Sequence, residues 1–391
     1  MKKIVLLLSI LFLCIYCGPK QDEVKKIIED GVEVVINRLE PYKIKGEPST
    51  LQLRELFTID TEREEIAEVG LIDIGGFDID SEGSIYVFQR PDQREHLVYK
   101  FDREGNFSNS FGIIGQGPGE IMAPINAYIT ERDEILIQDQ SKFKLFYFNK
   151  QGTLIRETQI RFKSSRQFVL FPLKNNNYLK YTDNFDFSTK HRFDSLELCN
   201  SDFQILLELD RCDYGQTFMA NQTKRKGSPR VFMYQIMDKN IFVGHESRGY
   251  EILKFDLDGN LTRKIRKKYK PVKPTQDFID TLLSNMGRFK DRVIIPDQMP
   301  PFHYFFLDDT GRLYVRTYEK GVNENEYIHD IFNPEGVFIA RKSMPSFSLL
   351  MYPGHSVGRG NIAKVKNGRF YCIREKASGY KELVVYRMDW E

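Results

Sequence analysis

Hydrophobic and polar residues alternate along most of this chain in short runs, and clusters of turn-forming residues separate the runs. The clearest unit lies between Gly75 and Glu120. Phe77-Asp78-Ile79-Asp80 alternates, Ser81-Glu82-Gly83 forms a tight turn, and Ser84 to Phe88 alternates again. After a polar loop, Leu97 to Phe101 reads as a third strand, and Asp102-Arg103-Glu104-Gly105-Asn106 turns the chain into a fourth, Phe107 to Phe111. Four short strands, with a Gly-bearing turn at two of the three joints, predict a four-stranded antiparallel blade.

The same punctuation recurs. A turn into a second strand appears at Ser81–Val87, Glu131–Ile137, Lys174–Lys180, Asp238–Gly244, Asp309–Val315 and Lys366–Cys372. A later hairpin, with Asp or Asn, two loop residues and a Gly, appears at Lys100–Phe107, Tyr147–Leu154, Lys254–Leu261 and Ile331–Phe338. The third unit has only Leu198–Ile205, without the Gly. Six markers at irregular spacing predict an all-β, six-bladed propeller with loop insertions. The sixth unit has room for three strands, and Leu51–Phe57 stands alone before the first. That N-terminal strand is expected to complete the C-terminal blade, closing the ring and removing an open sheet edge. Phe278, Ile279, Leu282, Leu283 and Met286 follow helical spacing, so a short helical insertion is expected over about 275–287.

Composition fits this reading. The 391 residues include 20 Tyr and 30 Phe against one Trp, and aromatic side chains suit a pleated surface. Lys and Arg (57) nearly balance Asp and Glu (55), so no global electrostatic reason points to nucleic acid. At the amino terminus, Lys2-Lys3 precedes an apolar run from Ile4 to Tyr16, too short to span a bilayer comfortably. The run stops at Cys17, so residues 1–17 resemble a bacterial lipoprotein signal with lipidation at Cys17. Tyr16 departs from the small residue usual before that Cys, which keeps a plain secretory signal, or cleavage nearer Cys14, as alternatives. Residues 18–31 read as a charged tether and 32–391 as the propeller. Cys199, Cys212 and Cys372 are too sparse for a disulfide framework; a Cys199–Cys212 bridge and three isolated thiols both remain open.

The segment Phe111-Gly112-Ile113-Ile114-Gly115-Gln116-Gly117-Pro118-Gly119-Glu120, followed by Pro124, resembles the inter-blade connection of NHL-type repeats. On these residues and the six turn markers, the chain resembles the six-bladed β-propeller family of bacterial envelope lipoproteins, related to NHL-repeat propellers, over about Glu33 to Glu391. The resemblance implies a membrane-anchored protein on the periplasmic or cell-surface side, with a binding or scaffold role. NHL-like lyases and lactonase-type propellers place a metal in the funnel, which keeps a metal-dependent hydrolase or lyase as the alternative.

Chemistry-bearing motifs are few. Gly115–Gly119 lacks both the Gly-Lys-Ser/Thr of a P-loop and a following helix, so it reads as a structural turn. His96, His191, His245, His303, His329 and His355 form no close-spaced metal pair, and no cofactor is expected, although calcium or zinc in the funnel stays open. No Gly-x-Ser-x-Gly elbow identifies a nucleophile. In a propeller, the inter-blade loops and the loops joining second to third strands share one rim. That rim is expected to carry Arg90, His96, Gln116, Glu120, Asp139, Lys142, His191, His245, Arg248 and Tyr318 as candidate ligand-binding residues, with Asp92 and Glu319 beside them. Mixed charge, amide and aromatic groups suit a glycan, a peptide or an envelope protein; the bland alternative for each is a solvated rim. The basic run Arg263–Lys273 suits anionic lipid or glycan, or else protects an outer edge strand. A monomer is expected.

Overall fold

The structure, a computed structural model, describes residues 23–89, 96–161, 168–216, 224–227, 229–347 and 361–391. It forms a ring of six antiparallel blades. Blade 1 comprises Gly76–Ile79, Ile85–Phe88, His96–Phe101 and Phe107–Ile113; blade 2 comprises Pro124–Ile129, Ile135–Asp139, Lys144–Phe148 and Leu154–Gln159. Blade 3 comprises Phe168–Pro172, Tyr178–Phe185, His191–Cys199 and Ile205–Gln216; blade 4 comprises Phe232–Met237, Asn240–His245, Glu251–Asp256 and Leu261–Lys267. Blade 5 comprises Tyr304–Leu307, Leu313–Lys320, Glu326–Phe332 and Phe338–Pro345. Blade 6 takes Ala363–Lys366, Arg369–Glu375 and Lys381–Trp390 from the C-terminus, and Leu51–Asp60 as its outer strand. Closure by the two chain ends is as the sequence predicts.

The recurrent Asp and Asn residues are turn locks. Asp102 Oδ1 accepts from the backbone N–H groups of Glu104 (2.9 Å) and Asn106 (2.8 Å), and Asp256 Oδ1 accepts likewise from Asp258 and Asn260. Glycines 105, 152, 259 and 336 follow at positive φ. In blade 3 Phe203 holds the same place, at φ 63°, inside a turn locked by Asn200. Its ring is buried against Tyr178, with centroids 4.9 Å apart. Packing thus holds a backbone shape that Gly supplies in the other hairpins.

Neighbouring blades are stitched together near the axis. Lys364 pairs with Asp78, whose second oxygen accepts from Ile129 N–H at 2.8 Å. The Tyr128 hydroxyl donates to Leu170 O (3.2 Å), and the Phe171 and Tyr234 rings lie 5.5 Å apart. Gln235 Nε2 donates to the Tyr304 hydroxyl (3.4 Å), and Phe306 stacks on Phe370 at 5.5 Å. Hydrophobic clusters fill the spaces between blades, the largest spanning blades 4, 5 and 6.

The amino-terminal segment departs from expectation. Residues 18–31 were expected to be a tether, yet Lys25–Glu29 is a strand paired antiparallel with Val32–Asn37, which adds parallel to Leu261–Lys267. Blade 4 therefore has six strands. The basic run does not line an open edge: Arg263 bonds Glu33 (2.7 Å), Arg266 forms a bidentate pair with Glu29 (2.6 and 2.7 Å), and Lys264 lies 3.5 Å from Glu29. From this hairpin the chain straps blade 5. Asn37, fully buried, donates to Arg266 O and Gly336 O and accepts from Phe338 N–H at 2.8 Å. Tyr42 N–H bonds Phe338 O, and Glu47 accepts from Asn333.

The helix spans Gln276–Met286, capped by the Thr275 hydroxyl and ended by Gly287, and its apolar face is half-buried. Among the described residues no helix is long and apolar enough to cross a membrane. Cys199, Cys212 and Cys372 are free and buried. Burial pushes their thiols up to about 12, 11 and 12, respectively.

Candidate functional site

The rim residues singled out in sequence fall into separate groups. Cys17 and Arg90, with Asp92 and His355, lie outside the described residues. Glu120, Asp139 and Lys142 belong to one local knot at the blade 1–blade 2 connection, on whose loop Gln116 is exposed. Glu120 Oε2 accepts from Gly117 N–H (2.7 Å), and Lys142 Nζ donates to Glu120 O (2.8 Å) and Gly117 O (3.2 Å). A Cβ at Gly115 would meet the Glu120 carboxylate, which would have to shift from its bond to Gly117 N–H. Buried Asp139 accepts from Met122 N–H (2.6 Å), Lys142 N–H (3.0 Å), and both the N–H and hydroxyl of Ser141 (2.8 Å each). Burial pushes the Asp139 carboxyl up, but these donors outweigh it and hold the pKa below the usual value. Polar groups of this knot are thus engaged in holding the connection in place.

His96 opens the third strand of blade 1, its Nδ1 buried without a hydrogen bond. His191 lies across blade 3 from Asp213, at 3.4 Å. His245 ends the second strand of blade 4, stacked on Phe232 and accepting or donating at Ser247 Oγ (2.8 Å). Arg248 forms a bidentate pair with Asp210 of blade 3, 2.6 Å to each oxygen, and leads outward to Glu251.

Between His245 and Arg248 the sequence reading passed over the residue with the most unusual surroundings. Glu246 begins a single 3-10 turn, and its carboxylate accepts from Val231 N–H in the blade 3–blade 4 connection. Burial raises its pKa to about 8; nearby Asp194 raises it further, and the Val231 N–H and Arg230 oppose the rise. Asp194, on the third strand of blade 3, is 2% exposed. Burial raises it to about 6 against the pull of Arg230, and Asp183, its cross-strand partner, adds to the rise. One Asp194 oxygen accepts from the Tyr214 hydroxyl at 2.8 Å; the other has no partner. Asp183 is held by Arg192, leaving Arg230 3.8 Å away, over the Tyr214 ring, with Nη1 unbonded.

Tyr318, expected on the rim, reaches this cluster from blade 5. Its hydroxyl is buried without a partner and feels the charge of Glu246. The ring stacks on His303, with centroids 4.8 Å apart. Burial, aided by the Arg316 charge, drives His303 well below the ordinary histidine pKa. Arg316 is itself 4% exposed; it donates to Phe347 O (3.1 Å) and Ser346 Oγ (3.4 Å), and no carboxylate among the described residues pairs with it. Blades 3, 4 and 5 thus contribute a carboxyl that keeps its proton at neutral pH, a second raised only to about 6, guanidinium groups, and a phenol with unused hydrogen-bonding capacity. Among the described residues no three His, Cys, Asp or Glu side chains gather as metal ligands.

The comparisons agree with the architecture. Residues 61–320 match the DUF5128 family, described as 6-bladed beta-propeller, and the chain belongs to that family. No curated protein matches the sequence. A duf4221 family member from Bacteroides vulgatus is similar in structure at 12% identity and TM-score 0.51, covering 95% of this chain and 100% of its own. A Bacteroides fragilis protein described as exported gives 13% identity and TM-score 0.48, covering 91% and 99%. Virginiamycin B lyase from Staphylococcus aureus gives 9% identity and TM-score 0.40, covering 86% and 99%. At such identities the likeness is one of fold.

Proposed function

We propose that this six-bladed propeller is a binding module of the bacterial cell envelope, exported and lipid-anchored at Cys17, which seats a polar ligand among blades 3, 4 and 5. The amino-terminal apolar run ending at Cys17 supports export and anchoring. One observation carries the ligand seat: Asp194 Oδ1, Arg230 Nη1 and the Tyr318 hydroxyl are each buried and unpartnered, and all three residues exchange charge effects with Glu246. Folded proteins leave few such groups unmet, because each costs about 1–3 kcal/mol. A ligand that met them would recover that cost, which is how a concave polar site gains affinity and selectivity.

The test is a thermal-unfolding screen of the mature full chain against envelope-type saccharides, short peptides and small acids, run beside Arg230→Met. A ligand that binds only the native state at a hundred times its Kd adds about 2.7 kcal/mol, which shifts the midpoint visibly. Compounds that stabilise the parent and not the variant support the reading. A screen in which every stabilising compound acts equally on both removes the seat.

A catalytic reading draws on Glu246, which retains a proton near neutral pH and has the form of a general acid. Conversion of a stabilising compound to product by the purified chain, lost in Glu246→Gln, would establish it.

A further inference from the structure

The basic run Arg263–Lys273 divides in two where its sheet ends. The first half is matched inside the molecule: Arg263 by Glu33, Lys264 and Arg266 by Glu29, and buried Lys267 by Asp330 at 3.3 Å. The second half is not. Lys268, Tyr269, Lys270, Pro271 and Lys273 are all exposed, and among the described residues no carboxylate bonds any of these three ammonium groups. The backbone of this stretch is nevertheless fixed, by Lys268 N–H to Asn37 O (3.0 Å) and by Met299 N–H to Val272 O (2.7 Å). Like charges gathered without counter-ions repel one another, and an anionic partner relieves that repulsion.

The strand register decides what lies beside these lysines. Lys25 pairs with Ile36, and Ile36 with Arg266, so the chain enters the fold two strand spacings, about 10 Å, from where the basic run leaves the sheet. Lys25 is exposed, and Val24 before it packs on the largest core cluster, which holds the entry point in place. Arg38, also exposed, follows Asn37, the residue that receives Lys268 N–H. The acids adjoining these cations in the chain are Glu23 and Glu40, fewer than the cations they face. Cys17 precedes Lys25 by eight residues, which reach at most about 28 Å.

We propose that this end of blade 4 docks on an anionic lipid surface, with Lys25, Arg38, Lys268, Lys270 and Lys273 against the head groups and Tyr269 at the interface, a placement that rests on the Cys17 anchor proposed above. Each lysine near such a surface strengthens binding about fivefold, and Tyr side chains favour the head-group level. The same end of the sheet carries the turn Glu246–Arg248, because Lys267 N–H bonds Tyr250 O just after it (3.1 Å). The rim with the candidate seat therefore turns towards the bilayer.

The experiment uses the mature full chain with Cys17→Ser, so that no acyl chain contributes. Its sedimentation is measured with vesicles of phosphatidylcholine, alone or with about 30% phosphatidylglycerol. Binding to the anionic vesicles only, weakening as salt rises, is expected. Replacing Lys268, Lys270 and Lys273 together by Gln should weaken it about a hundredfold. These side chains are exposed, so the unfolding midpoint should stay where it was. A control with Lys174→Gln, Lys239→Gln and Lys366→Gln changes the net charge equally, on turns joining first to second strands at the opposite rim, and should bind nearly as the parent does. Equal loss in the control, equal binding to neutral vesicles, or no binding to anionic vesicles at low salt overturns the docking face. Alginate binding at least as tight as that of the anionic vesicles overturns the lipid assignment in favour of a glycan. Absence of acyl incorporation at Cys17 in cells refutes the anchor, whereas the vesicle assay, which lacks it, judges the face alone.

Discussion

Replacing Glu246 by Gln is the sharpest probe of the buried cluster. The folded pKa of about 8 lies above the value of 4.5 for an unhindered Glu, so the native state binds more protons than the unfolded chain between those limits. Stability linked to this group is therefore fully present below about pH 4.5 and is lost as pH rises towards 8. At about 1.4 kcal/mol per pKa unit, that interval corresponds to about 5 kcal/mol, and the part of the side chain that meets solvent trims it to about 3–5. Gln copies the shape of the neutral acid, keeps an oxygen for Val231 N–H, and does not titrate. The parent and Glu246→Gln should have similar urea midpoints at pH 5. At pH 9 the variant should be the more stable by about 3–5 kcal/mol. About 2 kcal/mol of the change falls above pH 6.5, clear of Asp194, whose own window runs from 3.8 to about 6. Parallel curves for the two proteins from pH 5 to 9 would refute the burial argument.

Other perturbations follow from the fold. Asn37→Ala removes three buried hydrogen bonds and strands the Phe338 N–H, so urea unfolding should show a loss of about 2–4 kcal/mol. Phe203→Gly should cost about 2 kcal/mol in the same assay, the lost ring packing of about 3–5 being partly offset by about 1–2 from relief of the left-handed backbone. The three thiols should resist a thiol-specific reagent in the native protein and react together once it unfolds; fast native labelling would contradict their burial. EDTA, followed by calcium or zinc, is expected to leave the unfolding midpoint unchanged, and a saturable shift would reveal ligands that the described residues do not assemble.

Most of the architecture was legible because its signals are local and repeated. Each hairpin shows its Asx lock and its positive-φ residue within a few positions, and the unmatched strand Leu51–Asp60 announces a blade short of one. The hairpin at Lys25–Asn37 was legible too, through Asp30-Gly31, a pair suited to a two-residue turn with both residues at positive φ (51° and 82°). The charged character of its flanks masked that signal, and those charges prove to be the counterparts of Arg263 and Arg266. The candidate site was only half legible. Of the residues expected on the rim, His245 and Arg248 flank Glu246 in the chain, and Tyr318 feels its charge. Nothing in the chain order relates Asp194, Arg230 and Glu246, and the raised pKa values of Asp194 and Glu246 depend on depth rather than on neighbours in sequence.

The strap and the shared sixth blade set the order in which this molecule can fold. Asn37 waits for Gly336, 299 residues later, and the Thr61 hydroxyl for Lys381 O, 320 residues later. Until the last strand emerges, Leu51–Asp60 has no partner, and contacts of such long range form slowly. The final blade then acts as a latch: the ring shuts only once the last strand has been made. The same delay leaves Leu51–Asp60, the outer strand of blade 6, open to wrong partners in the meantime. Truncation near the carboxyl end should therefore harm yield far more than loss of three strands' burial alone would.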